Sequence, residues 1–380
     1  MAELFDPLES ASASTSEIIS AARKREIKNI LKSYVGFYDP FSELIQNAMD
    51  AVDERQRRLK EDGYAKWLWI EVNFQNNSFS VTDNGIGLTK PQFKTFLAPN
   101  ITFKPEGTTR GKKGVGATYI AYGFNCLQLG TTSPEYSVSA EFRNGRDWVD
   151  DTQGIVNRPV ATESEVTHPP FNDLDRGSTF TLRFVGENVR PRDLGWIGAE
   201  TPEQWAAVLL IKTPLGHISL GDDRDEPIHF NLCVIDKDGN RSEITDRQAA
   251  YVFPHKVIAS SVDLGKILAE QDRRLRRGLG ASRLPDKYKR LNGIYRFLDT
   301  GKVVEAIRRT DESARLAEQF GITAYGFFCY SVKVWDQYSD EVVKLRKGTR
   351  VLRGGIQLAT DHMRLFFTLA DRTPGIPGVV

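Results

Sequence analysis

Three cysteines in 380 residues, Cys126, Cys233 and Cys329, are too few for a disulfide framework and too widely spaced for a zinc pattern. The five histidines, His168, His217, His229, His255 and His362, show no ligand spacing, which argues against a structural metal. Charge of one sign is lacking as well. The 51 Lys+Arg and 50 Asp+Glu leave a formal net charge of +1. No whole-molecule attraction to nucleic acid or to a membrane follows, so any such binding has to rest on a local patch. No apolar run approaches the roughly 20 residues that span a bilayer. The N-terminal MAELFDPLESASASTSE is acidic and serine-rich, unlike a secretory leader. What is present is a hydrophobic fraction of 40% and a charged fraction of 27%, typical of soluble globular proteins. The length favours two domains. A reduced, cytoplasmic protein without a membrane segment is the expectation.

Residues 1 to about 16 alternate Ser and Ala without a hydrophobic period and read as a flexible arm. A basic helical stretch follows over about 17–34. Leu44, Ile45, Ala48, Ala51, Val52 and Leu59 recur at three- and four-residue spacing and predict a second helix over 41–60. WLWIEVNF (67–74) and SFSVTD (78–83) read as strands joined at Asn76-Asn77. Further strands are expected near 125–132, 135–142, 158–164 and 178–184. The first half is therefore an α+β layered domain rather than a βαβ series. A segment mixing Pro, Gly and charge, VRPRDLGWIG (189–198), marks the boundary. Beyond it, strands are expected near 217–222, 228–236 and 322–335, with helices near 262–277, 302–309 and 361–371. GTRVLRGGIQLAT reads as a strand broken at Gly354-Gly355.

Three segments carry chemistry. In FSELIQNAMDA (41–51), Glu43, Asn47 and Asp50 stand at i, i+4 and i+7 and so share one stripe of a helix. A carboxylate can orient water as a general base, and a neutral amide oxygen one turn away suits Mg²⁺. In SVTDNGIGLTK (80–90), Asp83 ends a strand, and Gly85 and Gly87 permit a tight turn with close ligand approach. A buried carboxylate there can accept a hydrogen bond from an exocyclic amine such as that of adenine. The third Gly of a dinucleotide fingerprint is missing. EGTTRGKKGVGATYIAYGF (106–124) is glycine-rich and enters a helix near Ala117, with Lys112 and Lys113 adding positive charge. No Gly-Lys-Ser/Thr closes it, so it is not a Walker A loop. Taken singly, the three have ordinary readings: a solvated helix face, an Asn-Gly turn and a surface loop.

Taken in order, with RGSTFTLRF (176–184) after them, they resemble the GHKL ATPase superfamily, which includes gyrase B, MutL, MORC proteins, the heat-shock chaperones of about ninety kilodaltons and sensor histidine kinases. The resemblance covers roughly residues 20–190. It implies a Bergerat-type α/β sandwich, with helices on a mixed, mostly antiparallel sheet, that binds ATP and Mg²⁺. Under it, Glu43 would polarise the attacking water, Asn47 would ligate Mg²⁺, and Asp50 would line the pocket. Asp83 would bind the adenine amino group with support from Thr179, and Gly85 and Gly87 would pass beneath the base. Residues 97–116 would form a lid, with Gly114, Val115 and Gly116 donating to phosphate. The organisation implied is an arm and helix over 1–36, an ATP-binding domain over 37–190 and a transducer-like α/β domain over 191–380.

Histidine kinases are disfavoured, because about 190 residues follow the motif region and no phospho-accepting His helix precedes it. In the other branches a basic residue of the second domain reaches the γ-phosphate, and Lys344, Lys347 and Arg353 are candidates. QDRRLRRGLGASRLPDKYKR (271–290) holds eight basic residues against Asp272 and Asp286, among them Arg273, Arg274, Arg276 and Arg277. It is a candidate DNA surface. A solvated helix face, or a contact with an acidic protein, is the alternative. The expectation is a slow ATPase acting as a nucleotide-gated homodimeric clamp on DNA. The alternatives are a chaperone-like or scaffolding role on protein partners, or an ATP sensor with little turnover.

Overall fold

The computed structural model describes residues 16–99, 115–165, 168–220, 226–279, 284–307 and 311–345, together with 349, 351, 354, 357–360 and 363–368. Residues 1–15 of the expected arm, most of the expected lid, Lys347 and Arg353 lie outside the described residues. The chain divides into two compact units. One comprises Met1–Pro202 with Glu226–Gln248, the other Glu203–Asp225 with Ala249–Val380.

The first unit is built on an eight-stranded sheet: β1 (Lys66–Asn73), β2 (Ser78–Asp83), β3 (Cys126–Ser133), β4 (Tyr136–Arg143), β5 (Ala161–Glu163), β6 (Gly177–Arg183), β7 (Ile228–Ile235) and β8 (Arg241–Gln248). The order is β5-β4-β3-β6-β2-β1-β7-β8. The β1–β7 pair is parallel and the other pairs are antiparallel. Period-two alternation gives each strand two unlike faces. One face carries Leu68, Ile70, Val72, Phe79, Val81 and Leu182, all buried. Against it lies the helix Asp39–Leu59, whose Phe41, Leu44, Ile45, Ala48, Met49 and Val52 are buried. Phe41 meets Phe79 edge-on at 4.8 Å, which fixes the face the helix covers. Burial of each such side chain is worth about 1.5–3 kcal/mol. The helix begins with Pro40 in its first turn and ends at Lys60, which is left-handed at φ 50° and donates its N–H to Gln56 O.

The opposite face of the central strands is buried yet polar. Ser80 Oγ lies 2.8 Å from Thr181 Oγ1, and Thr82 Oγ1 lies 2.6 Å from both Thr179 Oγ1 and His168 Nδ1. These hydroxyls satisfy one another, as buried polar groups must. Burial drives the His168 pKa down to about 3, so its ring stays neutral.

The second unit contains the three-stranded sheet β9 (Ser261–Asp263), β10 (Gly293–Leu298) and β11 (Ala324–Cys329), in the order β11-β10-β9, and the pair β12 (Gln357–Thr360) and β13 (Met363–Thr368). The helix Pro202–Lys212, all but its first residue in this unit, is buried at every position from Trp205 to Ile211. It is apolar on all sides, as a fully covered helix must be. Helices Leu264–Arg276, Thr300–Ile307, Asp311–Gln319 and Val332–Val343 complete the unit. His255 stacks on Tyr295 at 4.1 Å, and its Nδ1 lies 3.0 Å from Tyr325 Oη, within a cluster that includes Phe253 and Phe297.

The α+β class and the mostly antiparallel sheet match the expectation. Several elements differ. The run 322–335 is a strand ending at Cys329 followed by a helix from Val332, because Ser331 accepts the Lys333 N–H and caps the helix. The expected helix over 361–371 is instead the strand Met363–Thr368, paired antiparallel with Gln357–Thr360. Its MRLFFT composition suits a pleated surface. The described residues 217–220 form no strand. The strand near 228–236 exists, but it extends the sheet of the first unit beside β1.

Candidate functional site

The stripe Glu43–Asn47–Asp50 lies on the helix Asp39–Leu59, with Glu43 and Asn47 half-buried and Asp50 buried. Glu43 Oε1 accepts a hydrogen bond of 3.0 Å from the Tyr34 hydroxyl. Its Oε2 lies against Gly116, where a Cβ would collide with it. Gly116 opens the helix Gly116–Tyr122, so a small residue at this position lets the carboxylate approach the helix start. Tyr34 stacks on Tyr119 of that helix, with ring centroids 3.9 Å apart and planes 2° from parallel. Asp39, at the helix entrance, accepts the Gly36 N–H at 2.7 Å through Oδ2. Burial raises the Asp39 pKa above the ordinary carboxylate range, and the Gly36 bond opposes that rise.

Asp83 ends β2 on the face that the helix covers, and only 1% of it is exposed. Its Oδ1 accepts the Gly85 N–H at 2.8 Å, and the Ser178 backbone N–H donates to the same carboxylate. Burial outweighs both bonds and pushes its pKa up to about 7. Two backbone donors are too few for a fully desolvated carboxylate. Asp83 is thus a buried acceptor with capacity for a further donor.

The turn after Asp83 is clamped to the helix. Ile86 N–H donates to Ala51 O at 3.0 Å. Buried Arg55 donates from Nη1 to Asn84 O at 2.9 Å and from Nε to Glu61 at 2.7 Å. The Tyr64 hydroxyl also reaches Asn84 O, at 3.1 Å. A Cβ on Gly85 would lie 2.5 Å from the Ala51 carbonyl carbon, so only glycine lets the strand end pass this close to the helix. Gly87 turns the chain at φ +71°, and the next residue, Leu88, donates its N–H to Thr131 Oγ1 at 2.7 Å.

Sheet register brings Ser178, and not Thr179, to this site. Asp83 is paired with Ser178, and Thr131 of β3 is paired with Ser178 from the other side. Thr131 Oγ1 lies 3.3 Å from Ser178 Oγ. Thr179 is paired with Thr82 and points into the hydroxyl layer of the far face. Its expected place beside Asp83 is therefore taken by Ser178, because one step along a strand reverses the face. Thr131, Tyr34 and Asp39 escape a motif-by-motif reading. Ser178 lies in the RGSTFTLRF motif with Gly177 and Thr179, and the pairing of Asp83 with β6 selects it.

Of the lid residues, Val115 and Gly116 are described, and Lys112, Lys113 and Gly114 lie outside the described residues. Lys344 is in the second unit, exposed, and closes the helix Val332–Val343 in a left-handed conformation at φ 53°. Its carbonyl accepts from Gln204 Nε2 at 2.7 Å. In the basic stretch, Arg273 and Arg274 both pair with Glu270 on their own helix. Arg276 and Arg277 are exposed at the helix end. Among the described residues no three His, Cys, Asp or Glu side chains gather as a metal cage. No described helix is long and apolar enough to cross a membrane.

No protein-family model matches this chain, and no curated protein matches it. Its function has to be argued from the geometry above.

Proposed function

We propose that the protein is a Mg²⁺-dependent, ATP-binding and ATP-hydrolysing conformational switch. One observation carries the reading. A buried carboxylate, Asp83, with unused acceptor capacity and a pKa raised to about 7, ends a strand directly against the helix that bears Glu43, Asn47 and Asp50. Such an acceptor suits the exocyclic amine of adenine, and the adjacent Ser178 and Thr131 hydroxyls suit the remainder of a base edge. Gly85 and Gly87 bring backbone close enough for a flat ring to lie over it.

Asn47 would hold Mg²⁺ through its amide oxygen. One protein ligand is a normal share for Mg²⁺, which usually takes its other positions from phosphate and water. The donor set therefore fits an ion that arrives with the nucleotide. Magnesium supplies charge neutralisation on the phosphates when bound. Glu43, whose Oε1 accepts from Tyr34, would orient and deprotonate water as the general base.

The output proposed is a homodimeric clamp, with DNA as the partner through Arg276 and Arg277 foremost, since Arg273 and Arg274 already share Glu270. A protein partner is the second reading. It is favoured by the large apolar side chains that the second unit exposes, Phe320 at 69% and Phe328 at 62%.

The test is Glu43→Ala. Turnover should fall by about 10²–10⁴-fold, the usual contribution of a general base, while ATP affinity changes little. Unchanged turnover removes Glu43 from the chemistry.

A further inference from the structure

Glu43 is useful as a base only if its carboxylate is held in one orientation, and it stands half-buried on its helix. A polar group that holds Oε1 comes from outside the helix. Tyr34 reaches it from the segment between the helices Ser16–Leu31 and Asp39–Leu59, donating its hydroxyl to Oε1 at 3.0 Å. The ring that carries this hydroxyl is itself immobilised. It lies flat on Tyr119, with centroids 3.9 Å apart and planes 2° from parallel, so the phenol direction is set by stacking rather than by the hydrogen bond.

The backbone beneath Tyr34 is pinned as well. Its N–H donates to Leu31 O at 3.1 Å, and two residues later Gly36 N–H donates to Asp39. Burial, with Glu43 next in importance, holds the Tyr34 phenol far above its ordinary pKa. The hydroxyl therefore remains protonated and remains a donor. The nearby groups able to compete for it are Asp39 and Tyr119. Asp39 is committed to Gly36 through Oδ2, and Tyr119 meets the Tyr34 ring face to face.

We propose that Tyr34 is a positioning residue for Glu43. Its hydroxyl fixes Oε1 and so directs Oε2, the oxygen beside Gly116, toward the water to be deprotonated. The inference rests on the ATPase reading given above. It goes further by making turnover depend on the segment that follows the first helix. A displacement of Tyr34 from Tyr119 would then slow hydrolysis without touching any group that holds the nucleotide.

The experiment compares wild type, Tyr34→Phe and a chain with 4-aminophenylalanine at position 34, reading ATP affinity and single-turnover hydrolysis separately. Tyr34→Phe keeps the ring and its stack and removes only the donor, so the fold should be retained. The expected result is a kcat about tenfold lower with ATP affinity and KM within twofold of wild type. The amino group restores an N–H donor at the para position and should recover most of the loss. A Phe variant with wild-type kcat overturns the proposal while leaving the ATPase reading intact. Equal losses in the Phe and amino-substituted chains overturn it too, since they would point to ring packing. A wild-type chain that neither binds nor hydrolyses ATP overturns the proposal together with the reading beneath it.

Discussion

Replacing Asp83 by Asn probes the buried carboxylate through two independent quantities. The carboxyl has a reference pKa of 3.8 and is pushed up to about 7 by burial. The unfolded chain releases this proton near its ordinary value, while the folded chain holds it until about pH 7. The native state therefore binds more protons across that window, and stability falls as pH rises through it. The loss is complete above about pH 7 and is worth about 4 kcal/mol at most.

An amide at position 83 cannot ionise, and its oxygen can still accept the Gly85 and Ser178 N–H groups. Its NH₂ is left buried, which costs about 1–3 kcal/mol. At pH 8 the variant should be more stable than wild type by about 1–3 kcal/mol, or several degrees in Tm at about 2–4 °C per kcal/mol. At pH 5, where the wild-type carboxyl is protonated, that advantage should vanish or reverse. Scanning calorimetry at the two pH values measures both. A hundredfold excess of ATP over Kd, with Mg²⁺, should stabilise the wild type by about 2.7 kcal/mol and so raise its Tm, and leave the variant unmoved. A variant less stable than wild type by the same amount at pH 5 and pH 8 would refute the reasoning. It would show Asp83 to be ionised and fully satisfied, a structural residue and not a waiting acceptor.

Two further outcomes can be checked directly. Gly85→Ala sets a Cβ 2.5 Å from the Ala51 carbonyl carbon, and neither backbone can yield cheaply. It should cost about 1–3 kcal/mol in denaturant unfolding and weaken nucleotide binding. Joint replacement of Arg273, Arg274, Arg276 and Arg277 by Ala should lower DNA affinity and flatten its salt dependence, read by fluorescence anisotropy across a salt series. Most of the loss should come from Arg276 and Arg277, and an unchanged affinity would remove the DNA surface.

The helix Asp39–Leu59 was legible because its apolar spacing agrees with its burial, and so were β1 and β2, where alternation and an Asn-Asn turn coincide. Asp83, Gly85 and Glu43 could be singled out because the roles proposed for them depend on local chain geometry. Ser178 could not be told from Thr179, since the choice rests on which residue of β6 faces Asp83, a matter of register between strands about 95 residues apart in sequence. Tyr34 was hidden for a related reason: its partner Tyr119 lies 85 residues away, and Tyr34 itself belongs to none of the motif segments. Placement of β7 beside β1 likewise depends on a long-range parallel pairing that no local pattern announces. In the second unit, MRLFFT follows either period over so short a run, and pairing with Gln357–Thr360 decides it.

The central claim is that the chain binds ATP at Asp83. Isothermal titration of the wild-type chain with a non-hydrolysable ATP analogue and Mg²⁺ tests it most directly. The account predicts saturable binding of one nucleotide per chain, weakened when Mg²⁺ is chelated and lost in Asp83→Asn. No saturable heat up to millimolar nucleotide, or undiminished binding in Asp83→Asn, would contradict it.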